Sequence, residues 1–381
     1  MRATARIGAA ILAAALFLTA CSSSSGGDQA SSGGSSSGGS GFSAESVSSA
    51  KKLIDEYHAL PSAPKLAPLS KAPSGDHSVV MISCPLPACA DMGNAFKDAA
   101  GKLGWQSQVL VSEFTPEAYA SAWQSALSAH PDGIFFIGMF PNTTIQAQLQ
   151  AAKDAGIWVV MNSPEPGTEI SADSVIEGAV GPEARYVIWA QLQAAMVVAD
   201  AQSTDGITLM YSPAAPAYAF QAKEFEKYIK EAGGTVDFLE INQQDIGTAL
   251  PQQVVSYLQR NPDTRYLVSV DDTLFPGVPD AISTAGIDSP KLIGAAAPAP
   301  QNLTWIKDGK QFGTVSGDTT TDVWNAVDIM ARLSVQEQPA NREPVGVAWV
   351  VDQANVDQYP AGSPPQFPGI PDAYTQAWGV S

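Results

Sequence analysis

SVVMISCPLPACADMGNAFKDAAGKLGWQSQVLV, at residues 78–111, is the stretch from which the fold can be predicted. It begins with a β-branched, apolar run at 78–83 and ends with another at 107–111, and each run predicts a buried strand. Between them, residues 91–103 space their apolar side chains as a helix does. A strand, a helix and a second strand in this order predict a βαβ unit with two parallel strands in one sheet.

The same alternation continues along the chain in two series, each with too few strands for a closed barrel. We therefore predict an α/β protein with two doubly wound parallel-sheet lobes, whose ligand edge lies at the carboxyl ends of the strands. The further predicted strands lie at 133–137 and 158–161 in the first series, and at 207–211, 236–239, 266–270 and 291–294 in the second; the helices between them lie at 116–128, 144–155, 221–232, 252–261 and 277–285.

Composition narrows the possible functions. The 381 residues are 45% hydrophobic and 15% charged, as in globular proteins, and their formal net charge is −18. Such an acidic chain would repel phosphate backbones, so nucleic acid is not expected as a partner. With three His and three Cys in the whole chain, we expect no metal and no cofactor.

The first twenty residues predict an export signal. Arg2 and Arg6 give it a positive start, and the apolar stretch at 7–20 is too short to span a bilayer comfortably. The following residue completes Leu18-Thr19-Ala20-Cys21, which resembles the bacterial lipobox. We predict a lipoprotein signal peptide at 1–20, with Cys21 as the lipidated N-terminus of the mature protein.

The segment after Cys21 predicts a tether. Between residues 22 and 41, all but Asp28, Gln29 and Ala30 are Ser or Gly, a composition that behaves as a flexible coil. With the lipid, this tether at 21–43 predicts an extracytoplasmic protein anchored to the bacterial cell membrane. Residues 44–76 predict one amphipathic helix followed by a Pro-rich segment that ends it.

Cys84 and Cys89 flank a short loop directly after the first predicted strand. If Cys21 carries lipid, these are the two remaining thiols of an exported protein, so a disulfide between them is favoured over free cysteines. Their spacing excludes a C-x-x-C redox motif.

Four motifs follow one another along the chain: Asp132-Gly133-Ile134, residues 155–160, Asp271-Asp272 followed by Gly277, and Ile306-Lys307-Asp308-Gly309 before a strand at 313–316. Together they make the chain resemble a type 1 periplasmic substrate-binding protein of the ribose- and galactose-like sugar branch, a component of bacterial ABC importers. The resemblance implies two lobes joined by a hinge of three crossings: lobe 1 from 77–180 plus 318–345, and lobe 2 from 181–317 plus 346–381. The crossings are expected near 179–182, 317–319 and 344–348.

The resemblance also implies ligand-binding positions, and here several of the family's polar groups are replaced. Asp272 matches an Asp that accepts hydrogen bonds from ligand hydroxyls, with Asp271 in place of the usual Asn. Asn162 stands where the family has an Asp, and Gln221 where it has an Arg. Apolar or aromatic residues stand nearby at Leu86, Phe140 and Tyr218. These seven residues form the predicted site. The expected ligand is a sugar or a less polar molecule, sugar-like or otherwise organic, and the missing charged groups favour the less polar kind.

The resemblance implies a monomeric solute receptor that captures a small molecule and presents it to an ABC importer permease. One alternative is a receptor of the same fold that signals to a membrane partner. Another is a secreted hydrolase that uses Asp271 and Asp272 as paired carboxylates. Neither Gly-x-Ser-x-Gly nor a phosphate-binding loop is present in the sequence, so an enzyme is not the expected function.

Overall fold

The computed structural model describes residues 41–59, 66–74, 76–171, 173–181, 183–201, 203–288, 290–337, 348–359, 367 and 369–380. The predicted signal peptide, Cys21 and the tether up to residue 40 lie outside the described residues. Within the described ranges, no helix is both long enough and apolar enough to cross a membrane.

The first lobe is built on a five-stranded parallel sheet of order β2-β1-β3-β4-β5. Successive side chains of a strand point to opposite faces, so Val79 and Met81 of β1 join one core cluster while Val80 and Ile82 join another. Helices therefore cover both faces of the sheet. Its elements are β1 (Ser78–Ser83), α2 (Pro87–Lys102), β2 (Gln106–Val111), α3 (Pro116–Ser128), β3 (Gly133–Ile137), α4 (Gln146–Asp154), β4 (Trp158–Asn162) and β5 (Gly178–Val180).

The second lobe is built on a six-stranded sheet of order β11-β10-β9-β8-β6-β7, parallel except for β11. The predicted fold class, two α/β lobes with parallel sheets, is confirmed. The elements of this lobe are α5 (Glu183–Asp200), β6 (Ile207–Tyr211), α6 (Pro216–Glu231), β7 (Asp237–Glu240), α7 (Leu250–Arg260), β8 (Tyr266–Ser269), α8 (Val278–Thr284), β9 (Lys291–Ala296), α9 (Pro300–Lys307), β10 (Gly313–Ser316) and β11 (Trp349–Asp352).

The C-terminal part of the chain differs from the predicted division into lobes. Helix α10 (Thr319–Ser334) packs on α2 and β4 of the first lobe, as expected, and β11 pairs with β10 in the second. Helix α11 (Ile370–Trp378), however, packs on α10 of the first lobe, whereas the sequence predicts all of 346–381 in the second. The physical reason is Trp378, whose ring stacks on Trp324 at 5.7 Å and whose Nε1 donates to Asp328 at 2.8 Å.

The N-terminal segment contacts both lobes. Helix α1 (Ala44–Glu56) packs on α5 of the second lobe, and the Val350 amide of β11 donates to the Tyr57 carbonyl at 2.8 Å. Residues 66–74 lie against the first lobe, where Leu69 donates its amide to the Ala377 carbonyl at 2.8 Å. In sequence order, the segment that packs on the second lobe therefore precedes all the strands of the first lobe.

Candidate ligand-binding site

A cavity of about 100 Å³ lies where the carboxyl ends of the strands of both sheets meet. The first lobe contributes residues that follow β1, β3 and β4, and the second contributes residues that follow β8 and β9 together with the starts of α5 and α6. Its walls are mostly apolar. This interlobe cavity occupies the position at which open α/β sheets place their ligands.

The first lobe's wall begins at the loop after β1. Cys84 and Cys89 are joined by a disulfide, so the predicted bond is confirmed. The hydroxyl of Ser83 donates to the Cys89 carbonyl at 3.1 Å and ties the loop to the end of β1. Both cysteines and Leu86 line the interlobe cavity.

Asn162, at the end of β4, supplies a polar group to the same wall. Its Oδ1 accepts a hydrogen bond from the hydroxyl of Ser163 at 2.7 Å. Ser163 has a φ of 59°, a left-handed conformation that costs free energy for a residue other than Gly. Gly138 is required opposite it, because an added Cβ would lie 2.7 Å from the Ser163 carbonyl oxygen. The backbone is thus closely packed where the strand ends meet the cavity.

Arg185 and Asp322 form an ion pair between the first turn of α5 and the first turn of α10. Both guanidinium NH groups donate to the two carboxylate oxygens, and both side chains are buried. Burial alone would lower the pKa of Arg185, but attraction to Asp322 outweighs it and the pKa is raised. The guanidinium lies 5.4 Å above the Trp189 ring. All three residues line the cavity, so its lining includes an ion pair whose two charges cancel.

The second lobe places Asp271 and Tyr218 at the cavity. The Tyr218 hydroxyl donates to Asp271 Oδ2 at 2.7 Å, and the Thr273 amide donates to Oδ1 at 2.8 Å. Asp271 is 8% exposed, and this burial raises its pKa, although both hydrogen bonds oppose the change. Burial and the neighbouring Asp271 raise the pKa of Tyr218 well above its usual value.

Asp272 faces the interior of the second lobe. Its Oδ1 accepts from Asn302 Nδ2 at 3.1 Å and from Gln311 Nε2 at 2.7 Å, and its Oδ2 accepts from the Thr314 hydroxyl. We call these four residues the Asp272 cluster. Burial raises the pKa of Asp272 to about 8 against the hydrogen bonds from Thr314 and Gln311.

Two other predicted site residues also lie away from the cavity. Gln221 is fully buried and donates its amide to Gln193 Oε1 at 3.0 Å and to the Val270 carbonyl at 3.1 Å. Phe140 packs beside Tyr119, with ring centroids 5.7 Å apart. The structure therefore brings Leu86, Asn162, Tyr218 and Asp271 together, and it does not bring Phe140, Gln221 or Asp272 to them.

Sequence reasoning missed Arg185, Asp322, Tyr186 and Trp189, which all line the cavity. A signal for the first was available: Arg185 is the one Lys or Arg in the 18 residues of α5, directly after a predicted crossing. A lone basic residue in a mostly apolar helix at a lobe boundary is a candidate for a paired, buried role. Among the residues that the structure describes, no group of three or more His, Cys, Asp or Glu could hold a metal ion.

Comparison with known proteins agrees with this geometry. Residues 79–338 match the family described as periplasmic binding protein domain, and the resemblance predicted from the sequence is confirmed. No curated protein matches the chain.

Solved structures give the same fold. A periplasmic ribose ABC transporter protein from Conexibacter woesei is 16% identical, with a TM-score of 0.62 over 76% of this chain and 96% of that one. A solute-binding protein from Bacillus halodurans with bound myo-inositol is 17% identical, with a TM-score of 0.62 over 76% and 99%. One from Burkholderia graminis with D-arabinose is 18% identical, with a TM-score of 0.62 over 76% and 99%. At these identities the likeness is one of fold.

Proposed function

The chain belongs to the periplasmic binding protein family, and on that premise we propose that it captures a small organic molecule between its lobes and delivers it to an ABC importer permease. The observation that carries this proposal is the interlobe cavity, because residues from both lobes form its walls. A ligand that contacts both lobes at once favours the closed arrangement over the open one.

Ring polyols and sugars are the starting class of ligand. The similar structures include proteins solved with myo-inositol and with D-arabinose. The cavity here has mostly apolar walls, with Leu86 and Trp189 among them, so a ligand with an apolar face fits it better than one that is hydroxylated all round.

The polar groups that would orient this ligand come from both lobes. Asn162 belongs to the first lobe, and Tyr218 and Asp271 to the second. A direct hydrogen bond already links the lobes beside the cavity, from Gln244 Nε2 to the Phe114 carbonyl at 3.0 Å. This contact supports a hinge mechanism in which closure adds bonds across the cleft.

The proposed role is binding without a chemical step. A hydrolase would need both Asp271 and Asp272 beside one substrate. Asp271 lines the cavity, whereas the Asp272 carboxylate is occupied by Asn302, Gln311 and Thr314. The separation removes the carboxylate pair on which that alternative depended.

We also propose that the protein acts as a monomer outside the cytoplasm, held to the membrane through lipid on Cys21. The support is the sequence Leu18 to Cys21 and the Ser/Gly-rich segment that follows it. The Cys21→Ser variant should lose detergent-phase partitioning in a Triton X-114 separation, with Cys84→Ser as the matched cysteine control. Unchanged partitioning of the Cys21→Ser variant would refute the anchor.

A ligand screen with a scattering measurement tests capture. Sugars, polyols and their less polar derivatives are screened by thermal shift, because a ligand that binds the folded state raises the melting temperature. For each hit, small-angle X-ray scattering should show a smaller radius of gyration in the bound state. Binding without compaction would argue against closure of the lobes around the ligand.

A further inference from the structure

The lining of the cavity has one more acidic side chain than basic ones. Of the described residues that line it, the ones with charged side chains are Arg185, Asp322 and Asp271. Arg185 and Asp322 pair with each other through two hydrogen bonds, which leaves Asp271 as the remaining charge. The charges of the lining therefore sum to −1 when Asp271 is ionised, which a cationic group beside it would favour.

Both donors to the Asp271 carboxylate are neutral. They are the Tyr218 hydroxyl and the Thr273 amide, and no Lys, Arg or His in the described part of the chain lies within ion-pair distance. A buried carboxylate without a cation is unfavourable, since neutral hydrogen bonds replace only part of its hydration. A cation supplied by the ligand would complete the site.

Arg185, which also lines the cavity, has a donor without an acceptor. Its Nε is buried and has no acceptor among the described residues, while its two NH groups are held by Asp322. The charge of the guanidinium is already neutralised, so an uncharged oxygen suits this donor better than a second carboxylate. The ligand should thus offer a cationic group to Asp271 and an uncharged oxygen to Arg185.

Aromatic rings lie beside both Asp271 and Arg185. Tyr218 is bonded to Asp271, and Tyr186 packs edge-on to Trp189 with centroids 5.5 Å apart. Aromatic faces attract organic cations and also cover an apolar ring. They would enclose a cationic ligand without adding a second charge.

We propose that the ligand is an organic amine: a protonated nitrogen pairs with Asp271, an uncharged oxygen accepts from Arg185 Nε, and a weakly polar body contacts the apolar walls of the cavity. A hydroxyl could also donate to Asp271, but it would leave the carboxylate charge uncompensated in an apolar cavity. This inference rests on the proposed function and narrows it to one class of solute.

The test compares amines with alcohols of the same skeleton. Glucosamine is paired with glucose, an amino-inositol with myo-inositol, and cyclohexylamine with cyclohexanol, and binding to the full chain is measured by calorimetry at pH 7 and constant ionic strength. At least one amine should bind tenfold or more tightly than its alcohol. The Asp271→Asn variant keeps the shape and removes the charge, so this preference should disappear in it.

The matched control is Asp308→Asn, which removes a carboxylate from an exposed position at the end of α9. It should keep the wild-type preference. Equal or tighter binding of the alcohols by the wild type would overturn the amine proposal and leave solute capture standing. A preference for amines that survives in Asp271→Asn would also overturn it, since the charge would then come from elsewhere. Failure of all six compounds to bind would count against both proposals.

Discussion

The interlobe cavity and the Asp272 cluster each contain one of two carboxylates that are adjacent in the chain, and the surroundings of the two carboxylates differ. Asp271 meets two neutral donors and a space shared by both lobes. Asp272 meets three side-chain donors and is 1% exposed. The first arrangement leaves room for a ligand group, and the second leaves none. A pair of acidic residues at a strand end can therefore serve binding and stability separately.

The short turn after β8 explains the difference. Asp271 is the N-cap of a single 3₁₀ turn at Asp272–Leu274, and its Oδ1 accepts from the Thr273 amide. The next side chain then points back to β9 and β10, where Thr314 and the loop before β10 receive it. A shift of one residue along the chain therefore moves a carboxylate from the interlobe cavity to the interior of the second lobe.

The largest effect should come from Gly294→Ala in β9. An added Cβ would collide with the Asp272 carboxylate, which packs directly against this glycine. Overpacking together with broken hydrogen bonds should lower the free energy of unfolding by about 4 kcal/mol or more, measured by urea denaturation. Gly101→Ala in α2 is the control, because nothing lies within 4 Å of its added Cβ. It should be neutral or stabilising by up to about 1 kcal/mol; similar losses in both variants would contradict the close packing around Asp272.

Alanine at each of the two carboxylates should separate their roles. Asp272→Ala leaves the donors of Asn302, Gln311 and Thr314 short of an acceptor, and we expect a loss of about 2 to 4 kcal/mol of unfolding free energy. Asp271→Ala should cost about 1 kcal/mol, because the groups it leaves lie beside the cavity. Ligand affinity should show the reverse order. A larger stability loss for Asp271→Ala would mean that the assignments are exchanged.

The dependence of stability on pH should also distinguish the cluster. The pKa of Asp272 is raised to about 8 in the folded state, above its ordinary value of 3.8, so between these values the folded protein holds more protons than the unfolded one. Its contribution to stability is therefore present at low pH and is lost as the pH rises towards 8. The expected slope is about −1 kcal/mol per pH unit, within the limit of about 1.4 for one group.

The matched variant for this measurement is Asp272→Asn, which cannot ionise. Urea denaturation of both proteins from pH 5 to pH 8 gives the difference in slope that belongs to Asp272. Parallel curves would show that the carboxylate is already ionised in the folded protein at acid pH.

The last prediction concerns the disulfide in the wall of the cavity. Replacing Cys84 and Cys89 together by Ala opens a loop with a sequence separation of 5, and loop entropy predicts a loss of about 2 kcal/mol. Reductant should lower the melting temperature of the wild type and not that of the double variant. Thiol titration of unfolded, unreduced Cys21→Ser protein should find no free thiol; two would refute the bond.

Strand positions were largely predictable because buried parallel strands carry strong local signals. The predicted bounds of β1, β3, β6 and β10 match the structure, and each of these strands is a short run of mostly β-branched or apolar residues. The Cys84–Cys89 pair was predictable for a related reason, since proximity in sequence and few competing thiols leave one pairing.

The directions of side chains and the contacts between residues far apart in the sequence were not predictable. The sequence Asp271-Asp272 does not predict that a 3₁₀ turn begins there and directs the two side chains to different places. The binding role implied for Asp272 by the resemblance therefore could not be corrected from the sequence. Helix α11 joins the first lobe through Trp324 and Asp328, which are about fifty positions away from Trp378. The pairing of Arg185 with Asp322 spans 137 positions. Such contacts depend on the whole fold rather than on a local pattern.

Helix α1 lies near the N-terminus but packs on the second lobe, and this has a consequence for the order of folding. His58, just after this helix, bonds to Asp352 at a separation of 294 positions, and Asn355 donates to its carbonyl. Because a chain is synthesised from its N-terminus, α1 is exposed long before these partners are made. Contacts of such long range form late, since a large loop must close first. The helix nearest the N-terminus is thus among the last to settle, and until then its apolar side remains open to chaperones and proteases.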